Sequence, residues 1–315
     1  SIYDHTKEKN HSPALDLYFR YNPGNNRLLV FNVVGTYINT QSKRIYQEKR
    51  EETFETDLLS DIRGNKYSLI TEGIYEKTTG TNKITAGMKH LQSHTNNQYD
   101  GTTTAEVSMR QAENSVYAEY QGRTGKIGYM ANITGVRLYY SQCSSHTEKY
   151  ALQPAARLTF EPNKDIYFRY RINLRNNTPS PAAMNQVEQA IDAWQIRRGN
   201  PGLKAFSILD QNVTAGFNKG IWGIDVLVGY NHEYKPVMES VYYEDGRFIR
   251  TYENQISFQN LSAEATFRLK PWKNHLSLSV TPRIDRFISR GNDYLHTYTM
   301  PEWRVNLDFS YNNWL

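Results

Sequence analysis

Trp194, Arg197, Arg198 and Asn200 fall within seven residues, and Tyr242 and Tyr243 follow in a later polar stretch from Val241 to Tyr252. Guanidinium groups fork onto carboxylates and phosphates, and indole and phenol rings stack on flat or apolar ligand faces. Such a set suits recognition of a glycan, a chelate or a peptide. The same residues would serve equally well to fold and solubilise a loop. His90 and His94 are four apart and would share a strand face. Two imidazoles without a third ligand are a weak metal signal, so no metal site is expected. Cys143 is the single cysteine, in the polar stretch from Ser141 to Thr147, which leaves no internal disulfide and no thiolate cage. No phosphate-binding loop, G-x-S-x-G, H-E-x-x-H or dinucleotide fingerprint occurs. The scattered carboxylates are expected to balance arginines, so neither catalysis nor a cofactor is expected.

The chain that must position these residues has 315 of them, 38% hydrophobic and 22% charged, with a mean hydropathy of -0.72. Its longest aliphatic and aromatic run, Leu28 to Phe31, falls far short of the roughly 20 residues of a spanning helix. Yet it carries 24 tyrosines, 12 phenylalanines and 5 tryptophans, a large aromatic surface for so polar a chain. The net charge of +5 is dispersed, with Lys43 to Arg50 and Arg197-Arg198 as its densest groups, so nucleic acid is not expected as a partner. No signal peptide begins at Ser1, which leaves a cytoplasmic chain or one lacking its natural start.

Strict alternation dominates. Ile166, Phe168, Tyr170, Ile172 and Leu174 oppose Tyr167, Arg169, Arg171, Asn173 and Arg175. Leu276 to Ile284, Leu261 to Leu269, Trp303 to Tyr311 and Leu15 to Tyr21 repeat the pattern. A period of two over about ten residues marks strands with one dry and one wet face. Near Gly135 the apolar set changes face, which suggests a bulge or a local ambiguity of the pattern.

Short turns are expected at 22–26, 78–82, 123–126, 161–164, 218–220 and 270–274. Long loops are expected near 41–66, 93–112, 143–150, 176–204, 234–254 and 289–299. Short turns on one rim and long loops on the other indicate a transmembrane barrel. The expected fold is therefore all-β, an antiparallel up-and-down transmembrane β-barrel of about thirteen strands. Tyr21, Phe160, Phe217 and Tyr311 end strands before short turns, and Tyr129 and Trp222 follow them, as an aromatic girdle would require, with the aliphatic Ile166 at a matching position. An arginine on the lipid side at mid-bilayer would cost about 2–4 kcal/mol, so the apolar face must meet lipid. A large soluble sandwich is the alternative. Within the longest loop, Met184, Val187, Ile191 and Trp194 recur at helical spacing after Pro181, which predicts a short helix that packs the loop or lids the mouth.

The segment Ile196 to Lys204, with Gly199-Asn200-Pro201-Gly202-Leu203, resembles the GNP-x-L segment of TonB-dependent outer-membrane receptors of the Bacteroidetes type. Leu203 to Phe217 fits the descending strand that follows it there. Ser115 to Tyr120 is similar to another descending strand of that family, Gly135-Val136-Arg137 to its G-L-R strand, and Leu152 to Leu158 to its L-x-P-x-x-x-L strand start. The agreement runs over about Tyr67 to Leu315. It implies an outer-membrane barrel of about 22 strands, plugged by an N-terminal domain and energised through TonB, that imports a nutrient. The implied partners are outer-membrane lipid, the TonB complex acting through a plug this chain does not contain, a surface lipoprotein, and a small-molecule or oligomeric nutrient.

Residues 1–315 then read as a single β-barrel region, a fragment of a longer receptor. Tyr311 to Leu315 looks like another short turn opening a further strand, and isolated edges in lipid are unfavourable. The ligand-contact candidates are Trp194, Arg197, Arg198, Asn200, Tyr242 and Tyr243. The competing readings are a non-transport barrel, such as an adhesin or a pore, and a soluble glycan-binding β-protein.

Overall fold

A computed structural model describes residues 2–50, 53–142, 145–272 and 275–309. The wall opens with β1 (Ile2–His11), β2 (Ala14–Gly24), β3 (Arg27–Arg50), β4 (Thr53–Thr79) and β5 (Asn82–Gly101). It continues through β6 (Ala105–Thr124), β7 (Ile127–Gln142), β8 (Ser145–Asn163) and β9 (Ile166–Asn177). An excursion follows, with the one-turn helix α1 (Pro181–Met184), β10 (Gln189–Ala190) and β11 (Gln195–Arg197). The wall resumes with β12 (Phe206–Lys219) and β13 (Trp222–Tyr234). A second excursion is the hairpin of β14 (Val237–Glu244) and β15 (Arg247–Asn254). The last wall strands are β16 (Ser257–Trp272), β17 (Leu276–Arg290) and β18 (Leu295–Phe309).

Fourteen strands form the wall, every neighbouring pair antiparallel. β1 and β2 lie end to end along β3, opposite 39–48 and 27–36, so the fourteen strands fill thirteen positions. Among the described residues the arc does not close: its edges are the β1–β2 line and β18, which makes it a partial barrel.

The lipid-facing band can be measured on β8. Tyr150, Leu152, Leu158 and Phe160 share the outer face and are all exposed. The ten steps from Tyr150 to Phe160 span about 33 Å along the strand. Tilted by about 40°, that is an apolar band of about 25 Å, the height a barrel needs. Tyr21, Phe160, Phe217 and Trp222 are exposed beside the short turns, as a girdle requires. On the inner face arginines meet carboxylates: Arg268 with Asp225, Arg175 with Asp210 (3.3 Å), and Arg283 with Asp285 (2.6 Å) and Glu264 (3.6 Å). A polar face that would be ruinous in lipid is satisfied in a lumen. The soluble-sandwich alternative has no place for this arrangement.

Three expectations are corrected. First, 41–66 and 93–112 are not long loops. β3 and β4, of 24 and 27 residues, and β5 and β6, of 20 each, carry the wall far above the band. Likewise β8 begins at Ser145. Above the membrane a strand needs no apolar outer face, so alternation fades while the ladder continues. Second, β7 has no bulge at Gly135; its ladders to β6 and β8 run without a shift in register. The apolar set changes face because Val136, Leu138 and Tyr140 are buried on the inner side, above the level where Ile127 and Ile133 face outward. Third, the helix is only four residues long. Pro181 does open it and the Ser180 hydroxyl caps it, but Val187, Ile191 and Trp194 lie beyond its end. Cys143, the turn residues 273–274 and the segment Tyr311 to Leu315 lie outside the described residues.

The ladder between β8 and β9 stops at Ala155, beside Pro154, which has no N–H to donate. Lower on the wall, Tyr167 lies across Gly216 of the neighbouring strand; a Cβ there would strike its ring. The Tyr167 hydroxyl donates to Asp225 (2.8 Å), which also holds Arg268. Gly216→Ala is expected to expel the ring and cost about 1–3 kcal/mol, as overpacking does. A lower denaturation midpoint of the detergent-solubilised barrel would register it; an unchanged midpoint would show that the ring yields freely.

Candidate functional site

The two excursions meet. β11 pairs with β15 in parallel, giving a second sheet of order β10-β11-β15-β14. Gln195, Ile196 and Arg197 stand opposite Phe248, Ile249 and Arg250. Residues 53 positions apart in sequence thus pair within one lid.

The first excursion folds inward across the mouth. Arg44 of β3 donates to the Ile191 carbonyl (3.2 Å), although β3 lies six strands along the sheet from β9. The Thr103 hydroxyl donates to the Glu188 carbonyl (2.9 Å), and Gln111 to Thr178 (3.3 Å). Asn185 donates to the Tyr99 hydroxyl (2.5 Å). Apolar packing follows the same path. Met184 and Leu203, 2% and 1% exposed, cluster with Ala183 and with Tyr140 of the wall. Val187 packs on Tyr99, Val107 and Met109. Burying two such side chains stabilises docking by about 1.5–3 kcal/mol each, before ordering costs.

The Gly199–Leu203 segment is the latch. The Gly199 and Asn200 amides donate to the carbonyls of Asn185 and Ala183, both at 2.7 Å. A Cβ at Gly199 would collide with backbone atoms of Asn185 and Ala183, so the approach requires glycine. Asn200 donates to the Tyr252 carbonyl (3.0 Å) and accepts from the Gly202 amide (2.9 Å). Asn254 joins the bases of both excursions, donating to Lys204 (3.0 Å) and Lys235 (2.9 Å) carbonyls.

The six candidates all fall in the lid but divide by role. Asn200 is a structural clamp. Arg198 donates to Glu188 (2.9 Å), Glu244 (3.1 Å) and the Tyr242 hydroxyl, tying the excursions together. The Tyr242 bond first, then Glu188 and Glu244, hold its guanidinium charged above its ordinary range. Trp194 is 67% exposed, and its carbonyl accepts from Phe248 (2.7 Å). Tyr243 packs edge-on against Phe248, 5.3 Å between centroids. Trp194, Tyr243 and Phe248 therefore present aromatic surface at one end of the lid sheet. Arg197 is exposed and lines a cleft under the lid.

That cleft, of about 440 Å³, lies between the lid and the inner wall. Lys66, Asn97, Tyr99 and Met109 line it from the wall. Nothing in the sequence singled them out, because they sit on strand stretches above the membrane where alternation is weak. A neighbouring cleft of about 460 Å³ is lined by Glu113, Leu138, Asn176, Phe206 and Tyr252. His90 and His94 lie on the outer face, the His90 ring on Asn114 (2.7 Å). Among the described residues no three His, Cys, Asp or Glu side chains gather as a metal site.

Solved structures of the same fold include the FrpB iron transporter from Neisseria meningitidis (TM-score 0.58, 10% identity, 98% of this chain and 58% of that one). The copper transporter OprC aligns with TM-score 0.65 at 7% identity, over 98% of this chain and 57% of that one. The pyoverdine outer-membrane receptor FpvA from Pseudomonas aeruginosa PAO1, bound to pyoverdine, aligns with TM-score 0.68 at 7% identity, over 96% and 55%. The chain therefore spans a little over half the length of these structures, and the likeness is one of fold. No curated protein sequence matches it significantly. A model of the outer membrane protein beta-barrel family matches residues 5–314. With its open antiparallel wall, lipid-facing band and polar lumen, the chain belongs to that family of bacterial outer-membrane barrels.

Proposed function

We propose that this barrel is the membrane portion of a receptor that imports a nutrient across the outer membrane, with the lid as its outer ligand-contact surface. The observation that carries the reading is the lid itself: two excursions joined by the β11–β15 ladder and packed inward on the wall. A lid that covers the mouth and lines a cleft suits capture of a particular solute better than free diffusion or outward adhesion. Imported solute would meet Trp194, Tyr243 and Phe248 first, then the cleft under Arg197.

A plug acted on by TonB would supply the gate. Arg157 and Arg171 face each other directly across the β8–β9 ladder, with Arg169 two residue pairs further along on the same face. Like charges placed opposite one another destabilise a sheet. None of the three makes an ion pair among the described residues, so an acidic face of a plug seated in the lumen would neutralise them. A surface lipoprotein closing over the aromatic end of the lid belongs to the same proposal. The nutrient class, whether glycan, chelate or peptide, follows from its chemistry at the cleft.

The test uses the whole natural gene in its own outer membrane. Deletion of the gene should abolish growth on one nutrient at limiting concentration, and a protonophore should stop uptake in the parent. Uptake indifferent to the protonophore, with steady ion conductance of the purified barrel in planar bilayers, would instead identify a pore.

A further inference from the structure

We propose that the cleft between lid and wall is an oxyanion site, which holds a carboxylate or phosphate group of the solute between Lys66 and Arg197. The inference rests on the receptor reading and names its ligand chemistry.

The two consecutive arginines of the lid have opposite fates. Arg198 is saturated by Glu188, Glu244 and Tyr242. Arg197, one residue earlier and therefore on the other face of β11, shares that face with Gln189 and Arg250. The carboxylate in its vicinity is Glu239, and both oxygens of Glu239 are taken by Arg250 at 3.0 Å. That bond to Arg250 keeps the Glu239 carboxyl below the usual carboxylate range, so Glu239 stays committed to Arg250. Arg197 is left without an ion-pair partner among the described residues.

Lys66 stands on β4 opposite Thr95 of β5, on the inner face. It too has no ion-pair partner among the described residues. Among the described residues, Lys66 and Arg197 are the only charged ones lining the cleft; the rest include the donors Asn97, Tyr99, Asn185, Gln189 and Ser180. Two cations and no acid, ringed by amides and hydroxyls in a concave site, form a receptor for an oxyanion. Burial raises the Tyr99 phenol above its ordinary range, so it remains neutral and does not repel an anion. Charge also separates the two clefts. Among the described residues, Glu113 is the only charged one lining the neighbouring cleft, and it would exclude the same ligand. The assignment is thus to one cleft.

The probes are inorganic phosphate and citrate, titrated into the whole gene product in detergent at constant ionic strength, with glucose as the neutral control. Saturable binding of at least one anion is expected, none of glucose, and a loss of roughly tenfold or more in affinity for Lys66→Gln and for Arg197→Gln. Hydrogen exchange at the Gly199 and Asn200 amides reports that the lid of each variant is still docked. If neither anion binds saturably, or binding survives both substitutions with the lid docked, the assignment is overturned. Anion binding with no energised uptake would leave the site standing and remove the import reading. Uptake with no anion binding would overturn the site alone and point to a neutral nutrient.

Discussion

Gly199→Ala is expected to release the lid from the barrel mouth while leaving the wall folded. The added Cβ would meet the Asn185 amide nitrogen and carbonyl oxygen and the Ala183 carbonyl. These are backbone atoms, held by their own bonds, and cannot rotate aside as a side-chain tip can. Relief requires the Gly199–Leu203 segment to lift, which breaks the two 2.7 Å bonds from the amides of Gly199 and Asn200. Two lost hydrogen bonds and the strain together amount to roughly 2–4 kcal/mol. Leu203 and Met184 would then lose part of their shared burial with Tyr140. Amide exchange over 183–203 should quicken by roughly 30- to 1,000-fold, while exchange in β12 and β13 stays slow. Unchanged protection of the Asn200 amide would show that the latch is not what holds the lid. An equal rise throughout the wall would mean that lid and barrel unfold as one unit.

Val226→Arg is expected to destabilise the whole barrel by about 2–4 kcal/mol, whereas Leu227→Arg should change stability little. Val226 lies four residues above Trp222 on β13, is 41% exposed, and shares its outer face with Ile224 and Val228. Four residues of tilted strand rise about 10 Å from the girdle, close to the bilayer centre. A guanidinium there must snorkel or drag water into hydrocarbon. At Leu227 the side chain points into the lumen beside Asp225, where an arginine finds water and a carboxylate. The comparison is made on the whole gene product in lipid vesicles by denaturant midpoint, with heat-modifiable gel migration as a check that each variant folds. Equal tolerance at the two positions would refute the assignment of the outer face to lipid.

The wall was legible in the sequence wherever lipid imposes a choice on every second residue. Ile166 to Arg175 and Leu261 to Lys270 declare their faces because a misplaced charge costs several kcal/mol. The short turns were legible for a related reason, since the chain must reverse within two or three residues beside an aromatic. Above the membrane that pressure ends. The upper halves of β3 to β6 are wet outside and partly lined by the lid inside, so their residues read as loop although the ladder continues. The change of face at Gly135 was visible, but its cause was not. It marks the height where the apolar requirement passes from lipid outside to the lid core inside.

The candidate residues were legible as types and as neighbours in sequence, and all six do lie in the lid. Their roles were not. Arg197 and Arg198 are adjacent and chemically identical, and only the alternation of faces along the extended backbone sends one to Glu188 and Glu244 and the other into the cleft. Asn200 looked like a ligand contact and is a backbone clamp, a function that depends on where Tyr252 arrives. Lys66 and Tyr99 carried no signal, being single polar residues in strand stretches without a pattern.

The sequence alone determined the solvent of each wall residue, and with it the antiparallel barrel, its polar lumen and the rim that bears the turns. These follow from period-two alternation, a local property set by lipid on one side and water on the other. Only the tertiary structure decided that the two excursions join in a parallel ladder, fold inward and leave two cations facing one cleft. Those contacts link residues that are far apart in the chain and are selected by shape, a condition no local pattern records.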